Sequence, residues 1–181
     1  AGGTDVVDTT SATGEVWMDR NLGASRAAQA KDDYQAYGSI YQWGRLNDGH
    51  QCINYTSGTT GSALYGTTNT TSSSDIPGHH DFITDADWRN PKNDNLWQGV
   101  NGTNNPCPDG YRLPTISEWT SEKNSWSSES TSGAINSSLK LPCAGNRVTS
   151  GDLYNQGSYA IYWSSTIDGD QSKSININQV S

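Results

Sequence analysis

The chain has 181 residues, a mass of 19.5 kDa and a formal net charge of −8 with a pI near 4.6. That size suits one domain, and the acidity excludes a protein built to neutralise a phosphate backbone. Only 31% of the residues are hydrophobic, but seven Trp and nine Tyr against one Phe and one Met give the chain large rings with polar handles from which to build a core.

Residues 1–25 read as strand and turn. The opening Ala1-Gly2-Gly3-Thr4-Asp5 shows no apolar leader, and Glu15-Val16-Trp17-Met18 alternates as a half-buried strand does. Over 33–45, Tyr34, Tyr37, Ile40 or Tyr41, and Gly44 recur at helical spacing and predict a helix. Residues 47–80 lack periodicity and are crowded with Gly, Ser and Thr, so they read as a long surface excursion with little regular structure. Residues 81–106 read as ordered loop pinned by Trp88 and Trp97.

Leu113-Pro114-Thr115-Ile116-Ser117-Glu118-Trp119 carries the clearest local signal. Thr115 with Glu118 three residues later is a capping box, predicting a helix from about 116 to about 125 with Trp119 buried. After it, 127–138 reads as a Ser/Gly-rich loop and Leu139-Lys140-Leu141-Pro142 as a short strand. Tyr159-Ala160-Ile161-Tyr162-Trp163 is rich in strand formers, and Ser172–Val180 alternates with Ile175 and Ile177 on one face. The expectation is one α+β domain over 1–181, with two helices and several short strands. Trp17, Trp43, Trp119 and Trp163 are its expected buried anchors.

The motifs of hydrolases, zinc proteases, phosphate-binding loops and dinucleotide folds are missing from the sequence. Metal ligands at His79-His80-Asp81 or at His50 with Cys52 lack structural-zinc spacing. Asp85, Asp87, Asn93 and Asp94 lack the spacing and glycine of a calcium loop. The expectation is no catalytic residue, no metal and no cofactor. Cys52, Cys107 and Cys143 are odd in number, and no disulfide among them is expected. Cys143 reads as a small buried side chain rather than a nucleophile.

Several separated motifs then fall into one order. They are Val16-Trp17-Met18-Asp19-Arg20-Asn21-Leu22-Gly23-Ala24, Tyr37-Gly38-Ser39-Ile40-Tyr41-Gln42-Trp43-Gly44-Arg45 and Asp48-Gly49-His50. Asp87-Trp88-Arg89, Asn95-Leu96-Trp97-Gln98-Gly99-Val100-Asn101-Gly102 and Asn105-Pro106-Cys107-Pro108-Asp109-Gly110-Tyr111-Arg112-Leu113-Pro114-Thr115 follow, with Glu118-Trp119. Leu139-Lys140-Leu141-Pro142, Gly145, Arg147 and Tyr162-Trp163-Ser164-Ser165-Thr166 close the order. Over nearly the whole chain this resembles the FISUMP family of C-type-lectin-fold domains. The Arg-Leu-Pro-Thr-x-x-Glu-Trp stretch is also similar to formylglycine-generating enzymes of the same fold.

The resemblance implies a C-type lectin fold of the formylglycine-enzyme type and a non-enzymatic ligand-binding role. Members often serve as variable proteins of diversity-generating retroelements, in which adenine-containing codons of the C-terminal part are diversified. Here that part is about 139–181. The implied partner is a protein or carbohydrate receptor, not nucleic acid and not a bilayer interior, and the implied location is extracellular, on a virion or cell surface. The family's closing Gly-x-Ser-Val-Arg-Cys strand, whose Cys would partner Cys107, has no counterpart before Ser181. Cys143 replaces a usual small apolar residue, and the catalytic cysteines of formylglycine-generating enzymes have no match. A fixed adhesin domain and a formylglycine-generating-like enzyme are the alternatives.

Within the C-terminal part, glycines punctuate turns and side chains of mixed chemistry lie between anchors. Tyr, Asn, Ser and Gly together give contact area with adaptable hydrogen bonds, as recognition loops need. The expected ligand-binding residues are Asn146, Val148, Thr149, Asp152, Tyr154, Tyr159, Ile161, Ile167, Asp168, Gln171 and Lys173, on one contiguous exposed face.

Overall fold

The computed structural model describes residues 4–179, and the regular elements it contains are short. The N-terminal segment forms an antiparallel hairpin of β1 (Asp8–Thr10) and β2 (Val16–Met18), with Thr9 opposite Trp17. Over 33–45 the expected helix is replaced by a single 3-10 turn, Tyr34–Ala36. Gly38 and Gly44 both take positive φ, which ends any helix there, and a Cβ on Gly38 would sit 2.4 Å from the Leu22 carbonyl oxygen. The tyrosine spacing was real, but the chain turns at these glycines.

The excursion carries more order than its composition suggests. β3 (Ile53–Ser57) and β4 (Thr60–Ala63) form an antiparallel hairpin, and β5 (Thr67–Thr68) pairs in parallel with β6 (Phe82–Ile83). A buried arginine gathers this excursion. The fully buried Arg45 guanidinium bonds Asp48 at 2.7 Å and donates to the carbonyls of His79 and Asp81 at 2.9 Å. Such a cation is tolerated in the interior because its donors are taken up. Trp88 and Trp97 are buried and pin the following loop, as expected.

Helix α1 (Ile116–Asn124) begins at Thr115 with both halves of the capping box in place, so the start of the predicted helix stands. Arg112 holds the Glu118 carboxylate from outside at 2.6 Å. The Ser/Gly-rich segment after it is not all loop. It contains α2 (Thr131–Asn136), capped by the Ser130 hydroxyl on the Gly133 N–H. Gly133 is required there by close approach, because a Cβ would lie 1.8 Å from the Ser128 carbonyl oxygen. Leu139–Pro142 forms no strand. Leu139 and Leu141 do point together into the core, while Lys140 turns outward at φ 51°.

β7 (Asn146–Arg147) and β8 (Leu153–Tyr154) make a short hairpin, followed by the longest pair, β9 (Tyr159–Asp168) and β10 (Gln171–Asn178). Val180, at the end of the predicted last strand, lies outside the described residues. Ala160, Ile175 and Ile177 share one face of this hairpin and pack on Trp119, Trp126, Ala134, Leu139 and Leu141. Ile83, Trp88 and Leu96 form a second, smaller cluster. The architecture is α+β, with few helices and small two-stranded sheets.

Indole N–H groups join these pieces. Trp119 donates to the Trp163 carbonyl, Trp163 to that of Tyr41, Trp43 to that of Ser164, and Trp88 to that of Trp43, at 2.8–2.9 Å. Of the four expected anchors, Trp119 is buried but Trp17, Trp43 and Trp163 are half-buried. Trp17 and Trp163 border an open cavity. Trp88, Trp97 and Trp126 are buried as well. No helix among the described residues is long and apolar enough to cross a membrane.

Candidate functional site

The β7–β8 turn is held from beneath and open above. Arg147 donates through Nε to the Gly151 carbonyl at 2.8 Å and through Nη1 to the His50 carbonyl at 2.9 Å. Its guanidinium lies 4.1 Å from the Phe82 ring centre, within cation–π range. Val148 N–H bonds the Asp152 carbonyl at 3.0 Å, and Gly151 closes the turn at φ 91°. Burial pushes the Arg147 guanidinium below its usual range, with the nearby Arg45 adding to the effect. Thr149, Asp152 and Tyr154 are left exposed on the outer side, with Asn146 and Val148 half-buried at the base.

Tyr159 and Ile161 begin β9 beside this turn, tied to it by the Gly145 N–H on the Tyr159 carbonyl at 2.8 Å. Ile167, Asp168, Gln171 and Lys173 lie at the other end of the hairpin, where Asp168 faces Gln171 and pairs with Lys173 at 2.9 Å. Nine residue steps at ~3.3 Å separate Tyr159 from Asp168, or roughly 30 Å. The expected single face is therefore two patches: a turn patch from Asn146 to Ile161 and a tip patch from Ile167 to Lys173. The length of β9 separates them. None of the eleven side chains is fully buried.

A cavity of about 730 Å³ lies between β2, the 37–41 segment, the 106–114 segment and β9. Trp17, Tyr41, Trp97, Trp119, Tyr162 and Trp163 line it, and the buried indole N–H groups of Trp17 and Trp97 have no partner among the described residues. The predicted residues Asn146 and Ile161 reach its rim. Of these rings, sequence reasoning made Trp17, Trp119 and Trp163 buried anchors in preference to the lining of a sugar site, and Trp97 a loop pin; it missed the opening, because no local pattern records a gap between distant segments.

The chemistry available here is limited. Cys52, Cys107 and Cys143 are free thiols. Burial pushes Cys107 up to about 12 and Cys143 up to about 11, so both are protonated at neutral pH and poor nucleophiles. His50 sits 2.7 Å from Asp48, the geometry of a base and its orienting carboxylate. Its Nε2, however, accepts the Gln42 N–H at 3.0 Å and is not free to take a proton from a substrate. Burial pushes His50 down to about 4.

His80 stacks on Tyr65 at 4.7 Å, and the His79 ring accepts the Asp81 N–H at 3.2 Å. Asp87 caps the Arg89 N–H, and Asn93 caps that of Asn95. Among the described residues, no group of three His, Cys, Asp or Glu is placed to hold a metal ion. Compared with protein-family models, curated proteins and solved structures, the chain matches none.

Proposed function

We propose that this chain is a non-enzymatic binding module, a C-type lectin scaffold of the formylglycine-enzyme type that displays variable side chains to a protein or carbohydrate receptor on a target surface. One observation carries the reading. The β7–β8 turn is fixed from below by Arg147 while Thr149, Asp152 and Tyr154 project from it without packing on the core. Side chains in that position can change without unfolding the domain, and they can supply affinity because their backbone is rigid. Tyr154, 50% exposed, gives an aromatic anchor of the kind that dominates binding energy. The protonated thiols and the occupied His50 ring support a binding rather than a catalytic role.

Diversification by a retroelement, and display on a virion or cell surface, follow from the family resemblance and belong to the same proposal. Sequencing the DNA around the gene tests it. A reverse-transcriptase gene and a repeat matching the 3′ end, differing at adenines in the codons for Thr149, Asp152 and Tyr154, is the expected result. A locus with neither element overturns the diversified reading and leaves a fixed adhesin domain.

A further inference from the structure

The aromatic cavity between β2 and β9 is separate from the exposed turn, since Thr149, Asp152 and Tyr154 do not line it. Two groups of touching rings wall it. In one, Trp119 meets Trp17 and Tyr162 at ring-centre distances of 4.9 and 5.7 Å. In the other, Trp97 meets Tyr41 at 6.2 Å. A volume of about 730 Å³ is that of a ligand site. Val16 and Val100 belong to the same lining and are 57% and 45% exposed, so its apolar surface runs on past the mouth. Apolar surface that continues outward marks a contact for a partner and suits an elongated one.

The hydrogen-bonding inventory of the walls is one-sided. Tyr162 gives its hydroxyl to the Pro142 carbonyl, and Trp119 and Trp163 give their N–H groups to the carbonyls of Trp163 and Tyr41. The N–H groups of Trp17 and Trp97 are left over, and the Trp97 side chain is shut away from bulk water. Among the described residues, no buried side-chain acceptor on the walls lacks a partner. The walls ask for no charge either. Arg20 is held by Asp19 at 2.6 Å and Arg112 by Glu118 at 2.6 Å, while Arg147 is taken up by the Gly151 and His50 carbonyls. Glu15 is exposed to solvent.

The complement of such walls is neutral and apolar, rich in acceptors and poor in donors. A sugar brings a donor with each hydroxyl, and an extended strand brings one with each residue. Proline brings a carbonyl and no N–H. In a polyproline II helix those carbonyls make no internal hydrogen bonds and are free to accept. We propose that this cavity binds a neutral, proline-rich segment of a partner protein in the polyproline II conformation. Its pyrrolidine rings pack on the aromatic walls, and its carbonyls accept from the Trp17 and Trp97 N–H groups. Aromatic grooves take such segments as a general mode of recognition. The site shares with the reading above only that the chain is a binding module, and it stands on different residues.

The test uses the whole chain and three capped decapeptides with one fluorescein label each, read by anisotropy: decaproline, alternating Gly-Ser and alternating Val-Thr. Decaproline is expected to bind saturably with a Kd below about 1 mM, and the other two about tenfold or more weakly. Maltohexaose is expected not to displace it. Trp17→Phe keeps a ring and removes a donor, and it strands no acceptor within the chain. That variant is expected to bind decaproline about fivefold more weakly. Should it fold poorly, the indole N–H resonances of Trp17 and Trp97 in the unaltered chain read the same contact, shifting to saturation as decaproline is added.

No decaproline binding up to about 1 mM overturns the inference. So does equal binding of either other peptide, displacement by maltohexaose, undiminished binding by Trp17→Phe, or indole resonances that stay in place while decaproline binds. A locus carrying the template repeat together with failed decaproline refutes this site and leaves the variable binding module standing. Bound decaproline with a locus that has neither element does the reverse.

Discussion

Acidifying the protein should unfold it partly through one histidine. His50 is enclosed, with its Nδ1 2.7 Å from Asp48 and its Nε2 capped by the Gln42 N–H. Burial lowers its proton affinity from the usual 6.5 to about 4; the Asp48 hydrogen bond opposes this, while Arg45 and Arg147 add to it. The folded state is thus the poorer proton binder, and the unfolded chain takes up more protons between those two values. The contribution is fully present above pH 6.5 and is lost as pH falls through about 4. At ~1.4 kcal/mol for each tenfold change in proton affinity, the loss is about 3 kcal/mol. Burial pushes the Asp48 carboxyl up, but hydrogen bonds from His50 and Arg45 outweigh it and hold it below its usual range, so its own loss comes at lower pH. Urea unfolding at steps between these pH values should show stability falling on acidification. His50→Gln, which cannot titrate, should flatten that slope whatever its starting stability. An unchanged slope in the variant, or a flat profile in the unaltered protein, would refute the argument.

Thr115→Ala should cost about 1 kcal/mol, read as a lower thermal midpoint, because it removes the hydroxyl half of the capping box. Trp97→Ala should cost about 3–5 kcal/mol in denaturant unfolding, since that ring is only 1% exposed. Cys107 and Cys143 should resist iodoacetamide at neutral pH in the folded protein and react after unfolding, as mass spectrometry of the digests would report. Replacing Thr149, Asp152 and Tyr154 should each change stability by less than about 0.5 kcal/mol, whereas Tyr154→Ala should cost about 2 kcal/mol or more of receptor binding by titration calorimetry.

The parts of this fold that sequence reveals are those whose partners lie within a few residues. The capping box from Thr115 to Glu118 closes within one turn, so Ile116–Asn124 was legible. Thr131–Asn136 was not, because its Ser and Gly content signals a loop and only the contact of Gly133 on Ser128 shows why a helix needs glycine there. Tyr34, Tyr37 and Tyr41 matched a helical period, yet Gly38 and Gly44 bend the backbone out of it. The order within 47–83 depends on Arg45 reaching His79 and Asp81, more than thirty residues away, which no local spacing announces. At the site, the turn and its exposed side chains followed from composition. Its division into two patches did not, since that depends on how far β9 runs before it reverses.

The indole bonds give the chain's odd aromatic ratio a reason. Trp43, Trp88, Trp119 and Trp163 each fill space and also bond a carbonyl more than forty residues away. Phenylalanine supplies the first service and not the second, so an exchange that is mild in an ordinary core would here leave a half-buried acceptor without its donor, at about 1–3 kcal/mol each. A chain that joins two-stranded sheets through ring nitrogens has little freedom to drift between aromatic types. Four of the seven Trp carry such a bond, and the single Phe could take none of these places.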